Sequence, residues 1–260
     1  MMVQDLRLSK RLTAIADMVG GTGSAAGGSS GDYCLCDVGT DHAHIPIKLL
    51  MDDRIDSAIA MDVIEGPLTK ARENLDRYGM SDRVTLRLSD GLDAYVPGEA
   101  DGLVIAGMGG RIMTKILLRE PLKTLDFEEL ILQPQADPEF VRGALRELGL
   151  SIDREKIVLE DNKYYPVIHA VHSKAEGQDN SIVPDRTLQR DVEDLFGPVL
   201  IRERDPMLKS YLLWQKGVSD RILHSLTRAN DDSGAVAEKK RSILRKDLLI
   251  RTALEYFDRV

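Results

Sequence analysis

From residue 33 onward, short runs of uninterrupted apolar residues alternate with stretches whose apolar positions recur every three or four residues. The first pattern predicts strands buried on both faces, the second amphipathic helices. Strands are expected at 33–36, 57–61, 83–88, 101–106 and 129–132, the third of them from its alternation of basic or polar with apolar residues, and helices at 45–51, 66–78, 112–118 and 138–148. Pro46 and Pro67 fall in first helical turns, and Gly79 and Gly149 lie just past last ones, where each residue type is tolerated best. Two longer β runs, 151–159 and 164–172, are joined through Asp161-Asn162-Lys163. That link is too short for a crossover, so the pair predicts an antiparallel hairpin. Five strand–helix units and a hairpin make a seven-stranded α/β sheet with one reversed strand, covered on both faces.

The flanks read differently. Residues 6–19 have helical spacing, with Leu8, Leu12, Ile15, Ala16 and Val19 on one face and Arg7, Lys10 and Arg11 off it. Residues 20–31 are Gly, Ser, Thr and Ala with few packing side chains, which predicts a flexible loop. No Lys-Ser/Thr follows those glycines, so the run is no phosphate cradle. Residues 176–184 are polar and read as a linker, followed by a short helix at 186–196 stopped by Gly197-Pro198. Residues 206–228 and 235–257 then keep narrow apolar stripes, Leu208, Tyr211, Leu212, Val218, Ile222 and Leu226 in one, Val236, Ile243, Ile250, Leu254 and Phe257 in the other. Each helix would span roughly 30 Å. The turn between them is short, so an α-helical hairpin packed as a short coiled coil is expected. The division is therefore a sheet domain over 1–175 and a helical domain over 185–260.

Composition adds limits. The chain has 260 residues, 43% of them apolar, and a net charge of -8. It can bury a large core, and its acidity argues mildly against nucleic acid as partner. The charge is uneven, however. Residues 185–260 carry 15 Lys and Arg against 13 Asp and Glu. Lys239, Lys240, Arg241, Arg245 and Lys246 form the densest basic patch, either a solvated helix face or a phosphate-tracking surface. Cys34 and Cys36 are expected on opposite faces of a strand as unbridged thiols of a reducing compartment. No signal peptide or membrane-spanning run is visible, so a cytoplasmic monomer is expected.

The chemistry gathers where strands end. In Asp37-Val38-Gly39-Thr40-Asp41-His42 a strand runs through an acid into a glycine turn and a helix, the opening of a doubly wound nucleotide-binding sheet. Asp41 replaces the second glycine of a dinucleotide loop. Asp62 and Asp90 recur at the ends of the next two strands. Asp62 has the offset of a ribose-diol acid, and Asp90 could accept from an adenine amino group. Each acid alone is more often a helix cap or turn former. Together, without a phosphate glycine, they fit a nucleoside ligand lacking phosphates, such as S-adenosylmethionine. Ala106-Gly107-Met108-Gly109-Gly110 removes side chains at another strand end, where something planar can approach the backbone. The acid-or-amide, Pro-Pro-aromatic run of many amino methyltransferases is missing there, so the carbonyls of Ala106 and Gly107 would do the hydrogen bonding. The layout is that of Rossmann-like methyltransferases.

Leu8-Ser9-Lys10-Arg11-Leu12, the run from Asp37 to Pro46, Gly66-Pro67, Ser89-Asp90-Gly91-Leu92, Ile105 to Gly110, Leu132-Gln133-Pro134-Gln135, Tyr164-Tyr165 and Phe196-Gly197-Pro198 together resemble the bacterial tRNA (adenine(22)-N1)-methyltransferase family. The resemblance implies a Rossmann-like class I S-adenosyl-L-methionine-dependent catalytic sheet and a C-terminal coiled-coil domain that helps hold tRNA. Carried over by position, Asp37, Gly39, Asp41, His42, Asp62, Asp90, Gly91, Ala106, Gly107, Met108 and Gly109 become the cofactor site, with Gly107, Met108 and Asp41 at the reacting base. Local basic patches must outweigh the global acidity for tRNA to bind, and the candidates are Arg7, Lys10 and Arg11 near the pocket mouth with the tail cations. The glycine-rich insertion and Asp62, where a glutamate is expected, depart from the family pattern. Transfer to adenine N1 would rest on positioning, with the base turned out of its stack. His42 would orient rather than act as base, and a His42/His44 metal pair lacks further ligands. Two other classes stay open: a methyltransferase fold acting on a small molecule or protein with a dimerising tail, and a non-catalytic binding protein.

Overall fold

The structure, a computed structural model, describes residues 6–20, 32–173, 186–228 and 234–258. The glycine-rich loop beyond Gly20, the 176–184 linker and most of the 229–234 turn lie outside the described residues. The chain divides into two compact units, Met1–Glu176 and Gly177–Val260.

In the first unit, helix α1 (Lys10–Met18) precedes β1 (Cys34–Val38), α2 (His44–Met51), β2 (Ser57–Asp62), α3 (Glu65–Tyr78) and β3 (Val84–Leu88). Then follow β4 (Gly102–Met108), α4 (Gly110–Arg119), α5 (Pro121–Thr124), β5 (Glu129–Pro134), α6 (Pro138–Glu147), β6 (Leu150–Glu160) and β7 (Lys163–His172). They form one seven-stranded sheet of order β3-β2-β1-β4-β5-β7-β6. Strands β1 to β5 run parallel, and β7 alone is reversed between β5 and β6. The chain changes direction across the sheet between β1 and β4, and a crevice opens at the carboxyl ends of strands at such a switch point.

Alternation along the strands builds two cores. Leu35, Ala58, Val104 and Ile131 face α1, α2 and α3 through Ile15, Leu49 and Ala71. Val38, Ile59, Leu103 and Leu130 face α4 and α6 through Met113, Leu117, Val141 and Leu145. Fully buried leucines and isoleucines of this kind contribute roughly 1.5–3 kcal/mol each, so the sheet is held from both sides. Cys34 and Cys36 share the second face, not opposite faces as expected, because strand residues two apart point the same way. Both are free thiols.

Local chemistry sets the boundaries. Ser9 Oγ accepts from Leu12 N–H at 3.3 Å, so α1 starts at Lys10 and residues 6–9 precede the helix rather than belong to it. Asp161 and Asn162 have φ of 49° and 58°, the two left-handed residues of a type I′ hairpin turn. Strand β4 runs past the expected Ala106 to Met108, with a register shift against β5 between those two residues. Gly107, at φ 78°, is the bulge.

The C-terminal end of α1 is pinned by charge. Arg54 donates to the carbonyls of Ala16 and Val19, and Arg154 donates to Met18 O at 3.0 Å. Cations there complement the helix dipole. Buried Glu129 receives Gly20 N–H at 2.6 Å and Tyr33 O–H at 2.5 Å on the same oxygen, Oε1. Its Oε2 lies 2.7 Å from His169 Nε2, and His169 Nδ1 lies 2.5 Å from Asp153 Oδ1.

The second unit contains α7 (Arg186–Phe196), α8 (Pro198–Arg202), α9 (Pro206–Arg228) and α10 (Gly234–Asp258). Helices α9 and α10 are antiparallel neighbours, with Lys209 Nζ 3.9 Å from Asp258 Oδ1 and 5.9 Å from the Phe257 ring centre. Leu208, Leu212, Ile250 and Ala253 are buried at the end where α7 and α8 also pack against α10. Farther out, Ile222, Leu226, Val236 and Ile243 are only half-buried. Two helices alone cannot enclose a seam, so a closed core exists only where the short helices add to it. Helix α8 was not anticipated, because Gly197-Pro198 starts a new helix as readily as it stops the old one.

Candidate active site

A cavity of about 380 Å³ opens at the carboxyl ends of β1, β2 and β4. Asp37, next to last in β1, is only 3% exposed and lines it. Its Oδ2 accepts from Thr40 Oγ1 at 2.6 Å. Burial pushes its pKa up from 3.8 to about 7; the Thr40 hydroxyl restrains the rise, and the nearby Asp62 charge adds to it. The turn beyond is stapled to the neighbouring strand, since Gly39 and Thr40 N–H both donate to Met61 O at 2.8 and 3.0 Å. Gly39 has φ 76°, and a Cβ there would overlap the Met108 methyl. Asp41 and Ala43 are also left-handed, at φ 52° and 56°.

That twisted loop carries two histidines. The rings of His42 and His44 stack at 5.3 Å, and His42 Nε2 is 3.5 Å from Asp41 Oδ1. Asn74 Nδ2 donates to His42 O at 3.0 Å, fixing the loop to α3. Burial lowers the His44 pKa, and the neighbouring His42 lowers it further. Asp62 ends β2 with Oδ1 accepting from Ile64 N–H at 3.0 Å. Its carboxylate lines the same cavity.

The opposite wall comes from β4, β5 and α1. Arg11 Nη1 donates to Gln133 Oε1 at 2.7 Å, and Gly107 N–H donates to the same oxygen at 3.3 Å. Gln133 is fully buried and returns its Nε2 to Pro134 O at 2.9 Å. The Arg11 guanidinium lies 5.4 Å from the Tyr165 ring centre, and its Nε is 3.9 Å from Glu160 Oε2.

The structure therefore brings Asp37, Gly39, Asp41, His42, Asp62, Ala106, Gly107 and Met108 to one cavity. Asp90, Gly91 and Gly109 are not among its lining residues. Asp90 has a 65% exposed side chain and pairs with Arg119 at 2.9 Å, Gly91 backs onto Ile116, and Gly109 is the N-cap of α4. Among the expected cations, Arg7 and Lys10 are exposed, and Arg7 lines a separate hollow. Arg11 instead lines the cavity. Lys239, Lys240 and Arg241 are exposed on α10, Arg245 pairs with Asp191, and Lys246 is half-buried. Sequence reasoning missed Thr40, His44 and Gln135 as cavity residues, and Gln133 as the buried residue behind the wall that holds Arg11 and Gly107. For Gln133 a signal existed, a carboxamide closing an apolar strand. Among the described residues no group of three or more His, Cys, Asp or Glu is placed to hold a metal ion.

Comparison with known proteins agrees with this layout. Residues 8–168 match a family model described as a methyltransferase domain. The tRNA (adenine(22)-N(1))-methyltransferase of Bacillus subtilis (strain 168) is 28% identical over 247 residues, covering 95% of this chain and 97% of that one. The crystal structure of the B. subtilis m1A22 tRNA methyltransferase superposes with a TM-score of 0.78 at 25% identity, covering 96% of this chain and 99% of that one. A Streptococcus pneumoniae protein crystallised in complex with S-adenosyl-L-methionine gives a TM-score of 0.72 at 28% identity, covering 95% of this chain and 100% of that one. The matched model spans more than half of the sequence, from before α1 into β7, and the chain belongs to the methyltransferase domain family.

Proposed function

We propose that this chain is an S-adenosyl-L-methionine-dependent tRNA (adenine(22)-N1)-methyltransferase. The observation that carries the assignment is a carboxylate-walled cavity at the β1/β4 switch point, in a chain similar end to end to the B. subtilis enzyme.

The residues fit the cofactor. Its volume class is that of a nucleoside-sized pocket, and its acidic walls suit a ligand bearing sulfonium and ammonium charges. When bound, that ligand supplies an electrophilic methyl group. Asp62 would accept from the ribose hydroxyls, and the bare Gly39 turn would let the ligand approach the backbone. Asp37, when ionised, would attract the cationic end. The nucleophile needs no activation, because adenine N1 carries its own lone pair. The protein's task is then positioning, exclusion of water and charge compensation. Asp41, on the cavity wall with a 68% exposed side chain, would supply negative charge near the cationic methylated base. His42, tied to Asp41 and stacked on His44, would orient the loop and need not take a proton.

An acidic sheet domain has to meet a polyanion through local basic surface. The proposed division is catalysis in 1–175 and tRNA support in 185–260, with the exposed Lys239, Lys240 and Arg241 as phosphate contacts. Replacing all three by glutamate is expected to weaken tRNA binding about tenfold or more and to reduce the salt slope by about 2–3. Affinity for S-adenosylmethionine would be unchanged. Equal tRNA titrations for the two proteins in filter binding would remove α10 from the contact. No helix among the described residues is long and apolar enough to cross a membrane. The proposed active form is a metal-independent monomer working in the cytoplasm, where its tRNA substrate would be met.

The direct test is transfer of labelled methyl to a tRNA transcript, with the product mapped by reverse-transcription arrest. The arrest is expected at adenine 22, because a methyl on N1 blocks base pairing, and a transcript with guanine there would take no label. Label entering protein extract and not tRNA would overturn the assignment.

A further inference from the structure

The cavity contains a carboxamide that nothing yet described employs. Gln135 follows β5, and its backbone N–H donates to Met108 O at 2.8 Å, locking it to the β4 bulge. Its side chain lines the cavity and makes no hydrogen bond among the described residues. Gln133, two positions earlier, has both ends engaged. The Gln135 amide lies beside Gly107: a side chain there would place its Cβ 3.7 Å from Gln135 Nε2 and 3.7 Å from Arg11 Nη1. A slot of bare backbone is thus flanked by one guanidinium already committed to the protein and one amide that is not.

Resting on the functional assignment above, we infer that Gln135 selects adenine by pairing with its N6 and N7 edge. The reaction itself dictates which edge is available. N1 must face the incoming methyl, so the Watson–Crick edge cannot be fully engaged by protein. The N6–H and N7 groups on the other edge remain free, and a glutamine amide accepts from N6–H while donating to N7. Guanine presents an acceptor, O6, where adenine presents the N6 donor, so the amide carbonyl would meet a lone pair. Gln135 is exposed in the free chain, so the discrimination arises only when a base docks. With guanine seated, the amide carbonyl would lose water and face O6 unpaired, which costs more than a made hydrogen bond returns.

The test is a two-by-two comparison. The full chain and its Gln135→Ala variant are assayed on tRNA carrying either adenine or 7-deazaadenine at position 22. The deaza base keeps N1 and N6 but lacks the N7 acceptor. Removing N7 also changes the basicity of N1, so the informative quantity is the ratio of the two enzymes' responses. The parent is expected to lose roughly three- to tenfold more kcat/KM than the variant on this change, the worth of one hydrogen bond. On adenine, Gln135→Ala is expected to lose roughly ten- to a hundredfold in kcat/KM, with the Kd for S-adenosylhomocysteine unchanged. Gln135→Glu keeps the N6 acceptor without the N7 donor and should likewise be indifferent to the deaza base. Identical response factors for all three proteins would overturn the inference while leaving the function intact. A parent chain that transfers methyl to neither transcript would overturn the functional assignment itself.

Discussion

Asp37→Asn is expected to abolish methyl transfer and yet to give a more stable protein at about pH 8. Asp37 is buried with a pKa near 7 against an ordinary 3.8. Between those values the folded chain holds a proton that the unfolded chain has released, so stability falls as pH rises through that window. Above about pH 7 the buried charge is fully present and costs roughly 2–4 kcal/mol. Asparagine keeps an oxygen for the Thr40 hydroxyl, which now bonds at 2.6 Å, and carries no charge. The melting-temperature gain should therefore be largest near pH 8 and shrink toward pH 4. The functional cost comes from the same charge. A cationic ligand favours ionised Asp37, so S-adenosylmethionine affinity should weaken about tenfold per pH unit as pH falls below 7. In the variant, calorimetry should give an affinity at least about a hundredfold lower, with that pH dependence gone. Undiminished affinity would show that Asp37 is not a ligand.

Glu129→Ala is the second large effect, with the opposite acid–base signature. Burial works against ionisation of Glu129, but hydrogen bonds from His169, Tyr33 and Gly20 N–H outweigh it and hold the carboxyl below its usual range. Its stabilisation is thus present above the ordinary carboxylate pKa and is lost as pH falls through the lowered folded value. Removing it leaves His169 and the Tyr33 hydroxyl buried without that partner, at a cost of about 3–5 kcal/mol. Because Gly20 N–H, just past α1, binds the same oxygen, α1 should loosen, and with it Arg11 on the cavity wall. Faster amide exchange across residues 10–19 is the expected signature. Unchanged protection there would mean that apolar packing and the two arginines hold the helix unaided.

Much of this was legible in the sequence, for identifiable reasons. Parallel strands covered on both faces must be apolar throughout, so the inner ones stand out. The edge strand β3 is betrayed instead by its alternation of polar and apolar residues, and the hairpin follows from its short turn. The end of β4 was hidden because Gly107 and its bulge break the apolar run. Asp37, Gly39 and Asp62 were readable because a strand-end position fixes which way the chain faces. Asp90 obeys the same rule, yet its side chain turns to Arg119 on α4, a partner that no local pattern announces. Arg11 reads as a surface cation of an amphipathic helix. Its inward role depends on Gln133, Glu160 and Tyr165 from three different strands, and only the assembled sheet brings those together.

The shared oxygen of Glu129 has one more effect. Gly20 through its N–H and Tyr33 through its hydroxyl, on either side of the glycine-rich run, are both tethered to it, so the two flanks of that run are held to one residue. Lengthening such a span costs only about 0.6 kcal/mol per doubling. Variants with residues added to or removed from the run 21–31 are therefore expected to keep the strand that delivers Asp37 in place, checked by an unchanged melting temperature.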